Sequence, residues 1–193
     1  MKKKLEIFYS KISYNRKKSK GFTLIEILVS VGIIILLTAL IFPSYKSGEA
    51  QFVLDRSANK LAQDLRRAQE MAMSMKEENC NGVKANGYGI HFNISWKDAE
   101  GNYYYKLFAN CNNNHHRDNN DKDLEEIKLE RGIEINNLFP ADNFSILFVP
   151  PDPCVWINSQ SSGIEAQIVL ARKDNPSEKR TIKINNSGLI EVE

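Results

Sequence analysis

The residue that most needs a chemical partner is Glu26, because it is the only charged residue between Phe22 and Phe42. A lone carboxylate in an apolar helix costs about 2.5 to 3.5 kcal/mol at the helix centre, and somewhat less near an end. We expect no compensating group within this run, which contains no cation. The partner is therefore expected to be a cation of another chain, or an amine created nearby by proteolysis after Gly21.

A loop between Asn110 and Asp123 holds two sets of possible metal ligands. The soft donors are Cys111, His115 and His116. The oxygen donors, of the kind that calcium accepts, are Asp118, Asn119, Asn120, Asp121 and Asp123. The soft set has no second spaced ligand pair, and the spacing of the oxygen set does not match the twelve-residue calcium loop. We interpret the stretch as a charged loop and predict no metal site.

The chain shows no motif of a catalytic centre. It has no nucleotide-binding loop, zinc-protease helix motif, serine nucleophile elbow or paired-cysteine metal spacing. His91 is predicted to lie on the polar face of a strand. We therefore predict no catalytic residue, no cofactor and no enzymatic activity.

The apolar run around Glu26 is long enough to cross a membrane once, because its 21 residues would span roughly the 30 Å hydrocarbon core as a helix. Residues 1–21 contain eight Lys or Arg and one acid, a net charge of +7, whereas the whole chain carries +2 and the remainder therefore −5. By the positive-inside rule, the basic end stays in the cytoplasm and the rest of the chain is exported.

A cleaved secretory signal and a plain signal anchor would explain the same order of basic and apolar residues. A secretory apolar segment usually spans about 7 to 15 residues and ends at a small-x-small cleavage site. This run is longer, and Pro43-Ser44-Tyr45-Lys46 follows it. Neither alternative accounts for Glu26.

Beyond Pro43 the apolar residues follow a helical period and form one stripe. The stripe consists of Leu54, Ala58, Leu61, Leu65, Ala68, Ala72 and Met75. Charged residues occupy the other faces, so we expect the stripe to pack on a folded head. The helix is predicted from about Phe22 to Lys76, with a membrane-spanning first half and an amphipathic second half.

From Cys80 onward, short alternating segments separated by Asn, Gly and Pro predict β-strands. The candidates are Tyr88–Ile94, Tyr103–Ala109, Glu125–Leu129, Phe144–Val149, Ile164–Arg172, Arg180–Asn185 and Leu189–Val192. The last three are predicted to form a meander, because turn-forming residues separate them. The predicted fold class is α+β, with a long N-terminal helix packed on an antiparallel sheet or sandwich head.

The segment Lys20-Gly21-Phe22-Thr23-Leu24-Ile25-Glu26 resembles the type III signal of type IV prepilins and pseudopilins. In that family a prepilin peptidase cuts after the glycine and methylates the new N-terminal residue. The glutamate then pairs with the N-terminal amine of a neighbouring subunit. The resemblance implies processing at Gly21 and Phe22, methylation of Phe22, and an assembly role for Glu26.

The helical stripe and strand-rich head resemble the GspH/FimT family, the H-type minor pseudopilins and related minor pilins. Ser57–Met73, Tyr88–Phe92 and Ile182–Leu189 carry this resemblance. Pro43 lies where pilin-like chains often have a proline that lets the helix kink. The implied segments are a prepilin leader (1–21, longer than many), a transmembrane and filament-core helix (22–42), an amphipathic stalk helix (43–76) and a globular β-rich head (77–193).

The two resemblances imply a minor pseudopilin or minor pilin subunit of a type II secretion pseudopilus or a type IV pilus. The implied partners are prepilin peptidase, other pilin or pseudopilin subunits, the inner membrane and, as a further candidate, secreted cargo. The chain is expected to cross the cytoplasmic membrane once, with its head outside the cytoplasm, and then to enter the filament. A DNA-binding or adhesive tip subunit and a membrane-anchored extracytoplasmic enzyme remain as alternatives.

DNA is not an expected partner, although some FimT-like minor pilins bind it through an arginine-bearing C-terminal segment. Here the chain ends in the acidic stretch Leu189–Glu193, which should repel phosphate. Cations do precede this stretch, at Arg172, Lys173, Lys179, Arg180 and Lys183.

Three cysteines, Cys80, Cys111 and Cys154, lie on the side that we predict to be exported. Oxidation is permitted there, and three thiols allow one disulfide bond in any of three pairings. Their spacing selects no pair, and three reduced thiols remain an equal alternative.

Overall fold

A computed structural model describes residues 21–75, 77–80, 82–112, 114–150 and 155–193, and their side chains except at 42–50 and 83. The chain divides into two compact units, Met1–Tyr45 and Lys46–Glu193. One helix, α1 (Leu24–Met73), contributes to both units. It begins two residues later and ends three residues earlier than predicted. Just after its end, Met75 adopts a left-handed conformation with φ of 47°.

The described part of the first unit is the beginning of α1. Its segment Leu24–Ile41 is long and apolar enough to cross a membrane, as the composition predicts. Two hydroxyl groups in this segment bond to the preceding helical turn: Ser30 Oγ donates to the Glu26 carbonyl and Thr38 Oγ1 to the Ile34 carbonyl, both at 2.7 Å. With their hydrogen bonds made inside the helix, these polar groups are compatible with an apolar environment.

In the second unit, the remainder of α1 buries the predicted stripe except Met75, which lies beyond the end of the helix and is 63% exposed. Leu54, Leu61 and Leu65 are at most 1% exposed, and the small side chains of Ala58 and Ala68 are fully buried. The amphipathic second half of the helix is therefore confirmed. A hydrogen bond also joins the helix to the sheet, since the Tyr105 hydroxyl donates to Asp64 Oδ2 at 2.6 Å.

Eleven strands lie within the described residues of the second unit. They are β1 (Asn79–Cys80), β2 (Val83–Lys84), β3 (Gly87–Asn93), β4 (Tyr104–Asn110), β5 (Lys122–Lys128), β6 (Ile133–Phe139), β7 (Asn143–Phe148), β8 (Val155–Ile157), β9 (Glu165–Arg172), β10 (Lys179–Asn185) and β11 (Ile190–Val192). All of their pairings are antiparallel.

The strands form three sheets. β1 and β2 make a short ribbon, a four-stranded sheet has the order β11-β10-β9-β6, and a five-stranded sheet has the order β5-β4-β3-β7-β8. Side chains from both larger sheets and from α1 form one hydrophobic core, with Tyr88, Phe92 and Ile168 among its members. The α+β class is confirmed, and so is the meander of β9, β10 and β11.

The alternation of apolar and polar residues predicts seven of these strands but misses β6. Ile133 and Ile135 are buried, and then the pairing with β9 shifts register between Ile135 and Asn137, so that Leu138 is the next buried residue. Such a bulge inserts one extra residue and interrupts the period of two. The strands β1 and β2, with two residues each, are too short to show a period, and the sequence pattern also misses β8.

The face of β3 that carries His91 is buried rather than open to solvent, because β3 is buried on both faces and His91 is only 8% exposed. The rings of His91 and Trp96 contact each other in an edge-to-face arrangement, with their centroids 5.1 Å apart. Gly89 lies on the same face of β3 as His91, which we call the outer face. It leaves room there for the ring of Phe108, since a Cβ added to Gly89 would lie 2.8 Å from that ring. The outer face is covered by residues distant in sequence, which a strand pattern does not reveal.

Candidate processing and assembly site

The start of α1 is held by reciprocal hydrogen bonds between Thr23 and Glu26. The backbone N–H of Glu26 donates to Thr23 Oγ1 at 3.3 Å, and the backbone N–H of Thr23 donates to Glu26 Oε2 at 3.4 Å. This arrangement is a capping box, in which Thr23 is the N-cap and Glu26 occupies the third helical position. The carboxylate also lies where the helix dipole favours a negative charge.

The capping box gives Glu26 a hydrogen-bond partner next to it in the chain, but not the compensating cation that is expected from outside the run. The partner is the neutral backbone N–H of Thr23, and the Thr-x-x-Glu spacing that produces it is visible in the sequence. The negative charge itself is not neutralised by this bond. The described residues of the first unit, from Gly21 to Tyr45, contain no Lys or Arg.

The bond between Gly21 and Phe22 lies immediately before the helix. Residues 21–23 are not helical, and nothing lies within 4 Å of the position that a Cβ at Gly21 would take. Phe22 is 76% exposed. Among the described residues, the bond between Gly21 and Phe22 is therefore uncovered, and Gly21, Phe22 and Glu26 lie together at one end of α1.

The apolar surface that follows has no partner among the described residues of the first unit. Every side chain from Phe22 to Ile41 is exposed, including Leu24 at 83% and Leu40 at 77%. A contiguous apolar surface of this length is stable only against lipid or against other apolar helices.

A disulfide bond joins Cys80, at the end of β1, to Cys111, directly after β4, with their Cα atoms 5.6 Å apart. It selects one of the three pairings that the sequence left open. Cys154 lies outside the described residues. The bond removes Cys111 from the predicted soft metal set.

The other soft candidates are not brought together. His115 stacks on Trp156 at 3.9 Å between ring centroids, and His116 Nδ1 lies 2.9 Å from the backbone carbonyl of Asn114. Among the residues that the structure describes, no three His, Cys, Asp or Glu side chains are grouped to hold a metal ion.

Three of the five cations near the C-terminus, Arg172, Arg180 and Lys183, are engaged by acids. Arg172 contacts Asp174 and Glu178, and its hydrogen bond to Asp174 is the main reason that its pKa is raised. Two further pairs, each at 2.6 Å, are Arg180 with Asp55 and Lys183 with Glu193. A phosphate ligand would have to displace these carboxylates.

Comparison with known families identifies residues 16–42 as a prokaryotic N-terminal methylation motif. The match includes Gly21, Phe22 and Glu26 and covers 27 of the 193 residues. No curated protein and no solved structure matches the chain.

The motif supports a type IV pilin-like protein. It implies processing by a prepilin peptidase and assembly with other pilins, and it indicates a structural subunit rather than an enzyme. Together with the exposed apolar helix, it is consistent with anchoring in a membrane.

Proposed function

We propose that this chain is a minor pseudopilin or minor pilin, a subunit of a type II secretion pseudopilus or a type IV pilus. The observation that carries the proposal is the methylation motif at the start of a helix whose apolar surface has no partner among the described residues of its unit. Prepilin peptidase cuts after Gly21 and methylates Phe22. The helix then moves from lipid into a filament of other subunits.

The proposed topology has residues 1–21 in the cytoplasm, one crossing of the inner membrane by residues 22–42, and a stalk and head outside the cytoplasm. The charge of +7 on the first segment supports this direction. The disulfide bond of the head supports it as well, because such bonds persist in oxidising compartments.

Membership in the GspH/FimT family is the finer part of the proposal. It is supported by the helical stripe packed on two antiparallel sheets and by the C-terminal meander of β9, β10 and β11. Secreted cargo is a candidate partner of the head. DNA binding has less support, since Arg172, Arg180 and Lys183 are paired with acids.

Glu26 is proposed to set the register of assembly by pairing with the N-terminal amine of a neighbouring subunit. Its capping bond offers a competing, purely local explanation of the same residue, because a glutamine at this position caps a helix equally well. The two roles differ in one property, the negative charge. Variants that separate capping from charge therefore decide between them.

The test compares Glu26→Gln, Glu26→Ala and Thr23→Ala by cross-linking the chain to neighbouring subunits in native membranes. Glu26→Gln keeps the cap and removes the charge, whereas Thr23→Ala weakens the cap and keeps the charge. We expect both Glu26 variants to insert into the membrane and to lose at least tenfold in cross-linking, while Thr23→Ala assembles. Normal assembly of Glu26→Gln would refute the register role and leave only the capping role.

A further inference from the structure

The two larger sheets that the structure describes have four edge strands, and three of these are protected against pairing with another chain. An open edge presents a row of free backbone N–H and C=O groups, which proteins protect with charged side chains or very short strands. In β5 five of the seven residues are charged, and β8 and β11 have three residues each. These three edges offer little for a partner to pair with.

The fourth edge strand, β6, lacks both protections. It has seven residues, of which only Glu134 is charged. Among the described strands it pairs with β9 alone. Asn136, Asn137 and Phe139 are exposed, Phe139 to 49%. A long, nearly uncharged edge of this kind favours the addition of another strand.

The register of β6 on β9 indicates which backbone groups face the open side. The carbonyl oxygen of Gly132 accepts a hydrogen bond from the N–H of Lys173 at 2.9 Å. In an antiparallel pair every second residue is bonded to the partner in this way, and the residues between direct their backbone groups away from it. Counted along β9, this alternation assigns Ile135 and, beyond the bulge, Leu138 to the open side. Their side chains are buried, so their backbone groups are what a partner strand would bond.

The bulge in β6 decides what kind of strand fits this edge. Its extra residue separates Ile135 and Leu138 by three positions instead of two. A regular strand has its bonding residues two positions apart and therefore loses register across the bulge. A strand with the same bulge keeps register, and β6 of a second copy is such a strand.

Two copies of β6 match in an antiparallel register. In this register Ile135 of each copy lies opposite Leu138 of the other, so the backbone groups of the two open edges face each other at both places. Asn136 lies opposite Asn137 at the two-fold axis, where the two bulges meet. The apolar side chains of both strands remain directed into their own cores.

The side chains at the ends of this register are also complementary. Glu134 lies opposite Phe139, so the acids of the two copies do not oppose each other, which would be destabilising. Beyond the strand, Arg131 of one copy lies at the same end as Asp142 of the other. The Arg131 side chain is 83% exposed, where it contacts Glu100 at 2.7 Å, and Asp142 is exposed. Opposite charges are therefore available at both ends of the pair.

We infer that β6 is a self-recognition edge, through which the heads of two copies of this chain pair and join their four-stranded sheets into one. We expect a transient pair, because a seven-residue strand covers little of the roughly 1,200 Å² that a stable interface buries. The pairing requires neither cleavage nor filament assembly. It can therefore fail while the proposed function stands, and the reverse.

The test is disulfide cross-linking between two differently tagged copies of the full-length chain, mixed in detergent and carrying Cys154→Ser to remove a competing thiol. One copy carries Glu134→Cys and the other Phe139→Cys, which the register places opposite each other and within disulfide reach. Two copies of Glu134→Cys lie about 15 Å apart along the paired strands and cannot be bridged. We expect the mixed pair to cross-link at least tenfold more than the like pair. Equal cross-linking of the two, or none in either, would overturn the inference.

A charge swap at the two-fold axis tests the same contact. Asn136→Glu combined with Asn137→Glu in both copies opposes like charges and should reduce the mixed cross-linking at least tenfold. When one of the copies instead carries lysine at both positions, cross-linking should return to within threefold of the starting level, which also shows that the substituted heads are folded. Ser161→Glu with Ser162→Glu, in an exposed loop, is the matched control and should change it less than threefold. An equal loss in the control, or no recovery with the lysine copy, would contradict the pairing.

Discussion

The two halves of α1 contain the same types of apolar residue and bury them differently. In the first unit Leu24 and Leu40 are 83% and 77% exposed, whereas in the second unit Leu61 and Leu65 are at most 1% exposed. The second half finds its partner in the sheets of its own chain, and the first half finds none among the described residues of its unit. The difference separates a region that folds by itself from one that requires lipid or other subunits.

The largest expected difference between the two regions is the loss of stability when one leucine in each is truncated. Leu65→Ala should reduce the free energy of unfolding of the head by about 2 to 5 kcal/mol, because it leaves a cavity in the core. Leu37→Ala, at a residue that is 55% exposed, should change it by less than about 0.5 kcal/mol. Denaturant unfolding followed by near-ultraviolet circular dichroism measures both, and equal losses would contradict the division.

Removal of the disulfide bond should cause a similar loss of stability in the head and should leave the N-terminal helix unaffected. Replacing Cys80 and Cys111 together by Ala should destabilise the head by about 3 to 4 kcal/mol, since the bond closes a loop with a sequence separation of 31. Insertion of the N-terminal helix into membranes should be unchanged. Thiol titration of the denatured, unreduced chain should find one free thiol, and three would refute the bond.

The pH dependence of stability tests the head alone, because His91 lies on the buried outer face of β3. Burial, together with the nearby charge of Arg117, lowers the pKa of His91 to about 4, while Asp123 partly opposes this and Lys106 adds to it. The folded state therefore disfavours the protonated ring. Stability should be complete above pH 6.5 and should fall by up to about 3 kcal/mol as the pH decreases towards 4.

His91→Gln is the control for this titration, since glutamine does not titrate in that range. Unfolding of both proteins between pH 7 and pH 4 isolates the contribution of the histidine. Carboxylates such as Asp174, whose pKa is lowered by its hydrogen bond to Arg172, should affect both proteins alike. An identical pH dependence for the two would show that His91 is not held neutral by the fold.

The sequence predicts the features that arise from local periodicity. The stripe from Leu54 to Ala72 is set by one helical period, and the meander of β9, β10 and β11 by alternation interrupted by turn residues. The bulge between Ile135 and Asn137 and the covering of His91 depend on contacts between distant segments. Neither contact leaves a periodic trace in the sequence.

The sequence also contains the capping box at the start of α1, because Thr23 and Glu26 have the Thr-x-x-Glu spacing. The hydrogen-bond partner of Glu26 in this box is a neutral backbone N–H, which a search for compensating cations does not find.

The most direct test of the account is the mass of the N-terminal peptide of the chain, purified from cells that possess a prepilin peptidase. The account predicts a peptide that begins at Phe22 and carries one additional methyl group, and a precursor that remains intact in Gly21→Val. A native chain that retains Met1 to Gly21 in those cells would contradict the assignment to pilin-like subunits.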